Sequence, residues 1–249
     1  MEIYEIILLI LVGVIAGFIN TIAGGGSLLT VPFLIELGLL PTVANATNRV
    51  AIVIQNIFAV TGFRSKGVSS FSYSIWLGIS AAIGAFLGAK IAVEIDEETF
   101  KKVLAIVMII VIFLTIFKPF GKNEQSEDLS LKRKIIGTVI FFFLGIYGGF
   151  IQAGIGFLII ATLTGVNHFN LAKSNAVKVF VALMYTLTAV IYFAIEGKIN
   201  WQYGLTLSVG NSIGAWISSR WSVEAGDKYV RWFLIITVFA LAIKLWFFS

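Results

Sequence analysis

The residues best placed to do chemistry are polar groups set inside otherwise apolar stretches. Asn45, Asn48, Arg49, Gln55 and Asn56 recur at spacings of three, four and seven, which is one face of a helix. A second stretch repeats the pattern in part, with Asn175, Lys178 and Tyr185. Polar groups at membrane depth must be satisfied by protein, water or a ligand. Burying Arg49 or Lys178 without a partner costs about 2.5–3.5 kcal/mol on insertion scales. Neither stripe holds a carboxylate, and Glu36 and Glu196 lie near helix ends. An anion from outside the protein would complete the charge. Snorkelling of the two cations to the interface is the competing reading.

Each stripe follows a glycine-rich break. Asn20 and Thr21 precede Ala23-Gly24-Gly25-Gly26-Ser27, and Gln152 precedes Ala153-Gly154-Ile155-Gly156. Non-helical backbone at membrane depth lines a cavity or packs in protein, and the helix start after a break offers free amides to an anion. Asn45 and Asn175 each fall near a helix start, where the helix dipole favours negative charge. The candidate substrate-binding set is therefore Asn20, Gly24, Gly25, Gly26, Asn45, Asn48, Arg49, Gln55, Gln152, Gly154, Asn175 and Lys178. The glycine run is not a nucleotide loop, because no Lys-Ser or Lys-Thr follows it. Asn211 and Ser212 either join this cavity or bond between helices. His168, in a loop beside Asn167 and Asn170, reads as structural.

The elements that must position these groups are membrane helices. Of 249 residues 59% are hydrophobic and only 12% charged, too few charges to cover a soluble surface. The chain has no cysteine and one histidine, which excludes disulfides, thiol chemistry and a histidine-based metal centre, and no cofactor is expected. An enzyme reading fails for want of a metal set, a cysteine nucleophile or a buried carboxylate pair. The net charge of +5 reports orientation before ligands, and nothing else supports nucleic-acid binding. The opening MEIYEIILLILVGVIAGF lacks a basic n-region and reads as a retained first helix.

A shift of 130 residues aligns the two halves from about Ala23 to Phe117: Asn45-Ala46 falls on Asn175-Ala176, Tyr73 on Tyr203, Ile83-Gly84-Ala85 on Ile213-Gly214-Ala215, and Lys90 on Arg220. Shared Gly, Asn, Tyr and a basic residue at one fixed shift indicate duplication. The copies occupy 1–118 and 134–249, joined by a polar linker at 119–133. The pairs Gly13/Gly17, Gly84/Gly88, Gly145/Gly149 and Gly210/Gly214 read as close helix packing.

The fold class is an all-α polytopic membrane protein. Helices are predicted at about 3–22, 46–64, 73–93, 100–117, 134–152, 173–194, 203–220 and 228–247. The apolar segments 27–38 and 156–166 are short for a crossing and favour re-entrant half-helices. That gives eight crossings and parallel copies, with linker and both termini cytoplasmic by the positive-inside rule. If the short segments span, there are ten crossings and the copies are inverted. The residues themselves favour a carrier for a small anion, with one copy rocking against the other. A passive anion channel using the same cavity is the alternative. The bilayer is the only other partner expected, and nothing in the sequence specifies an oligomeric state.

GFINTIAGGGSLLTVPFL at 17–34, PTVANATN at 41–48, and the degenerate GFIQAGIGFLIIATL and AKSNAVK of the second copy resemble the TauE/SafE sulfite-exporter family, also called the TSUP permeases. The resemblance covers essentially the whole chain. It implies secondary transport of sulfite, sulfonates or related sulfur-containing organic anions across the cell membrane, in some members coupled to protons. The second copy departs from the first where AGGG becomes AGIG and Asn48-Arg49 becomes Lys178-Val179, which weakens a symmetric site.

Overall fold

Residues 1–68, 71–117 and 127–248 are described by a computed structural model. Among them the chain is helical throughout: α1 (Ile3–Ile22), α2 (Ser27–Glu36), α3 (Pro41–Ser65), α4 (Phe71–Glu94), α5 (Glu97–Phe117), α6 (Leu131–Phe150), α7 (Ile155–Val166), α8 (Leu171–Ile195) and α9 (Trp201–Phe248). Helix α9 is two helices joined at Gly226, whose backbone is non-helical. Most of the linker lies outside the described residues.

The ends follow local chemistry. Helix α3 begins at Pro41, about five residues ahead of the predicted start, because proline at the first helical position lacks only an amide that would be orphaned anyway. Glu97 then caps it, accepting from both the amide and the hydroxyl of Thr42. Asn170 caps α8 by accepting from the Lys173 amide at 2.8 Å. Among the described residues four helices, α1, α4, α6 and α8, are long and apolar enough to cross a membrane. Large apolar side chains such as Leu11, Ile83, Phe143 and Ile213 are exposed on the outside, where lipid would solvate them.

Glycine contacts set the helix directions. A Cβ on Gly13 would strike Leu207 and Asn211, one on Gly17 would strike Asn211, and one on Gly214 would strike Val14 and Phe18. Residue numbers rise together, so α1 and the part of α9 before Gly226 run parallel. Helices α4 and α6 do likewise: Gly84 abuts Phe142 and Ile146, and Gly149 abuts Ala85. All four small-residue pairs read from the sequence are therefore packing sites. Helix α3 also runs parallel to α9, through Thr47 with Asn200 at 2.9 Å, Gln55 with Asn211 at 3.1 Å, and Gly62 against Ser219. Helices α3 and α8 run antiparallel, with Arg49 over the Phe193 ring and Phe63 beside Val179.

It follows that α1 and α3 point the same way. A re-entrant α2 requires the opposite, because a chain that turns back to the side it came from starts its next helix in the reverse direction. Instead α2 leaves the end of α1, where Gly26 abuts Ala16 and Asn20, and carries the chain back toward the level where α1 began. The N-terminus accordingly lies at the opposite end of the bundle from the linker residue Asp128, which bonds to Asn167 ahead of α8. This corrects the expectation that the N-terminus shares the linker's side.

The halves are interleaved. The sequence pairs α1 with α6, α3 with α8, and α4 with the first part of α9. In space α1 and α3 pack on α9, and α6 and α8 pack on α4. Each set of three early helices thus takes its fourth from the other half of the chain.

Packing this close leaves no room for a methyl group. Gly88→Ala would drive its Cβ into the backbone of Ile146 and Phe150, whereas a Cβ on the helical Gly165 meets nothing within 4 Å. Thermal unfolding in detergent should show Gly88→Ala destabilised by about 1–3 kcal/mol. Gly165→Ala should be neutral or stabilising by up to about 1 kcal/mol.

Candidate functional site

Helices α1 and α6 end inside the protein, and their last carbonyls have no partner within their own helix. The other half of the chain supplies the donors. Lys178 on α8 donates to the carbonyls of Asn20 (3.1 Å) and Thr21 (2.6 Å) at the end of α1, and to the Asn175 side chain at 2.8 Å. Arg49 on α3 donates to the carbonyl of Gly148 near the end of α6, while Asn45 donates to that of Phe150 at 2.9 Å and accepts weakly from Arg49 at 3.4 Å. A cation at a helix C-terminus is also favoured by the dipole. Both are buried, Arg49 at 0% exposure and Lys178 at 3%, so neither snorkels. No described carboxylate pairs with either, since the described ion pairs lie elsewhere.

The inference that a missing carboxylate leaves these cations free is thereby revised: main-chain carbonyls and Asn side chains take the donors of Lys178 and both terminal nitrogens of Arg49, whose Nε is buried without a partner. Lys178 has three N–H groups and all three are engaged. Neutral acceptors satisfy its hydrogen bonds without cancelling its charge.

The two glycine breaks cross in direct contact. Gly24, with a left-handed φ of 85°, meets the backbone of Gly156, and a Cβ on either would overlap the other. Beside this crossing lies a cavity of about 20 Å³, which holds about one water. Its polar lining is Asn20, Asn56, Gln152, Lys178 and Tyr185, and its apolar lining includes Ile52, Ile155 and Ile159. The Asn56 Nδ2 donor and the Gln152 Oε1 acceptor are buried without a partner. Gln152 itself sits at φ 65°, a conformation a side chain rarely adopts, and its Nε2 donates to Thr186 at 3.0 Å and to Tyr185 at 3.4 Å. A positive φ and an unpaired atom thus coincide on one residue of the cavity wall.

Of the residues read from the sequence, the structure brings Asn20, Gly24, Gln152 and Lys178 to this cavity. Asn175 stands behind Lys178, and Asn45 and Arg49 tie α3 to the end of α6. Asn48 accepts from Thr30 at 2.7 Å and donates to Ser27 at 3.2 Å, fastening α2 to α3. Gln55 accepts from Asn211. Gly25, Gly26 and Gly154 shape the breaks without lining the cavity: the Gly25 and Gly26 carbonyls accept the Leu28 and Leu29 amides. Seven of the eleven lining residues were left out of the candidate set, three of them with a signal in the sequence. Asn56 lay on the polar face, Tyr185 aligned with Gln55, and Gly156 belonged to the second break, so each carried a signal. The isoleucine walls carried none.

Apolar helices around buried polar stripes, with two chain breaks meeting at a small polar cavity, have the architecture of a multi-pass membrane protein. The chain belongs to the sulfite exporter TauE/SafE family, whose model matches residues 9–245. A probable membrane transporter protein of Haemophilus influenzae is 27% identical over 242 residues, covering 96% of this chain and 93% of its own length. The Escherichia coli K12 protein YfcA, also named a probable membrane transporter protein, is 27% identical over 242 residues, covering 95% of this chain and 88% of its own. The ORF9 probable membrane transporter of a Sinorhizobium species is 25% identical over 231 residues, covering 93% of this chain and 88% of its own. All three are named as probable membrane transporters, and none as an enzyme. No solved structure matches the chain.

Asn48 separates fastening from binding. Asn48→Ala should lower stability by about 1–3 kcal/mol, because Thr30 and Ser27 lose buried partners. It should leave unchanged any rise in melting temperature caused by a transported anion.

Proposed function

We infer that the chain is a secondary transporter of small anions, sulfite or organosulfonates first among them, with the binding site at the crossing of the two breaks. The observation that carries this is Lys178: a buried cation, uncompensated by any described carboxylate, on the wall of a cavity that also offers Asn56 and Gln152. The family's name supports oxidised sulfur as the anion. Lys178 would hold the charge, Asn20 and Asn56 would donate hydrogen bonds, and Gln152 would accept from a protonated or hydroxylated group. Arg49 is assigned to fastening. A cavity with room for one water is too small for sulfite, so the walls must move, which favours a carrier over a fixed pore.

The moving bodies in this reading are not the two sequence copies. A whole copy could not rock without tearing α1 from α9 and α6 from α4. The bodies are α1, α2, α3 and the first part of α9 against α6, α7, α8 and α4. Their shared surface is α3 against α8, with the breaks between. Lys178 bonds from one body to α1 of the other, and Arg49 and Asn45 bond back to α6. An anion that draws Lys178 from the α1 carbonyls would loosen one of these ties, linking binding to motion.

The helix directions support ten crossings and inverted copies, with α2 and α7 completing short crossings through their flanking irregular backbone. At 1.5 Å per residue they are about 15 and 18 Å long. The basic linker then lies in the cytoplasm and the N-terminus on the outer face of the cell membrane. The chain has no native cysteine, so a single introduced one reports its side. A membrane-impermeant maleimide should label Glu2→Cys in intact cells and leave Ser130→Cys unlabelled. Labelling of both, or of neither, from the same side overturns this topology.

For the site, purified protein should melt at higher temperature with sulfite or a small sulfonate. Lys178→Ala should lose that shift and the corresponding uptake in proteoliposomes, whereas Arg49→Ala should lose stability and keep the shift. An undiminished shift in Lys178→Ala overturns the site, and flux that never saturates overturns the carrier.

A further inference from the structure

A second concavity lies on the outside of the bundle, between α3 and the first part of α9. It has a volume of about 750 Å³ and is walled by Ile54, Phe58, Val209, Ile213, Trp216 and Ile217. Val209, Ile213 and Ile217 are about half exposed. The two serines at its floor do not make it polar: Ser212 donates to the Ser208 carbonyl at 2.7 Å, and Ser208 to that of Leu205 at 2.6 Å. The sequence-related place on α4 and α8 is filled, with Met184 against Gly78 and Tyr192 packed edge-to-face on Phe86.

One end of the groove is charged. Arg220 lies on the same helical face as Ile213 and Trp216, and its guanidinium stands over the Trp216 ring at 5.3 Å. Arg64 is exposed at the matching end of α3, and Lys66 pairs with Glu224 between the two helices. Among the described residues this end carries three cations and one carboxylate. An apolar trough long enough to take hydrocarbon, ending in a guanidinium, has the two chemistries of an anionic lipid in the right order. Arginine binds phosphate through two parallel N–H groups, and basic residues at the edge of a membrane helix select anionic headgroups.

We propose that this groove binds one anionic glycerophospholipid from the leaflet on the linker side, an acyl chain lying along Ile54, Ile213 and Ile217 and the phosphate held by Arg220. A zwitterionic lipid would fill the trough with the same chain, but its own cation would oppose Arg220 and Arg64. The site lies on the opposite face of α3 from the cavity at the breaks, shares no lining residue with it, and does not rest on the transport reading.

The test is native mass spectrometry of the detergent-purified full chain, titrated with phosphatidylglycerol and phosphatidylcholine carrying the same acyl chains. Wild type should form a one-lipid complex with phosphatidylglycerol at a tenfold or more lower concentration than with phosphatidylcholine. Arg220→Gln should erase that preference while leaving the weaker phosphatidylcholine binding unchanged. Arg220→Lys, which keeps the charge, should retain most of it. Ile213→Trp, which fills the trough, should weaken both lipids. The proposal is overturned if Arg220→Gln keeps the full preference, or if Ile213→Trp binds both lipids as wild type does. It is also overturned if Ile213→Trp breaks a lipid-free dimer, because the groove then seats a second copy of this chain.

Discussion

Two helices end in the interior of this protein, and much of its chemistry follows from satisfying them. In water the last carbonyls of α1 and α6 would be solvated at little cost. Inside a bilayer an unpaired carbonyl costs several kcal/mol. The donors come from α3 and α8, the two helices that carry the polar stripes, and each reaches the helix end belonging to the other half of the chain. The stripes, the cations and the breaks are therefore one arrangement. It also fixes why the breaks hold glycine at the crossing: with the donors engaged on both sides, Gly24 and Gly156 are pressed backbone to backbone, and neither position has space for a side chain.

The two cations do the same kind of work with different chemistry. Arg49 is held on three sides, by the Gly148 carbonyl, by Asn45 and by the Phe193 ring at 5.2 Å. A planar guanidinium in such a setting has one orientation. Lys178 is a compact charge on a flexible stem, and its ammonium faces the cavity while bonding to acceptors that carry no net charge. Low dielectric makes that remaining field strong. In the proposed transport reading the asymmetry between Asn48-Arg49 and Lys178-Val179 in the sequence is a division of labour, with Arg49 fastening and Lys178 meeting the anion.

Most of the helices were legible because apolar length and glycine, proline and asparagine punctuation mark them directly, and the four small-residue pairs mark where they touch. Direction was not. Segments 27–38 and 156–166 are short for a crossing by residue count, and in the proposed ten-crossing topology irregular backbone such as 23–26 and 37–40 adds the missing distance. Only contacts between distant residues, such as Gly13 with Leu207, reveal which way each helix points. In the site, Asn20, Gln152 and Lys178 stood out as polar residues in apolar surroundings. The stripe on α3 was read as one feature, yet it serves at three heights: Asn45 and Arg49 tie to α6, Asn48 holds α2, and Asn56, two turns beyond, lines the cavity. Period identifies a face but not the neighbour each residue on it meets. Ile52, Ile155 and Ile159 were illegible because isoleucine on a membrane helix is equally at home against lipid, protein or substrate.

The exchange of α4 and α9 between the halves constrains any motion the protein makes. Glycine-lined contacts along α1–α9 and α4–α6 bring backbones so close that sliding would require side chains to pass through backbone, so these pairs move as units. The α3–α8 surface is different in kind. It meets through small or medium apolar side chains such as Ala59, Ala176 and Val179 and the Arg49–Phe193 contact, and is flanked by a few directional polar bonds from α8 to the end of α1 and from α3 to the end of α6. Directional bonds can be exchanged for others of equal strength at low net cost, whereas interlocked backbone cannot be rearranged without loss of packing. In the proposed carrier, a ligand that competes for one end of such a bond therefore acts on a seam without interlocked backbone, and that seam borders the cavity in which the ligand would sit.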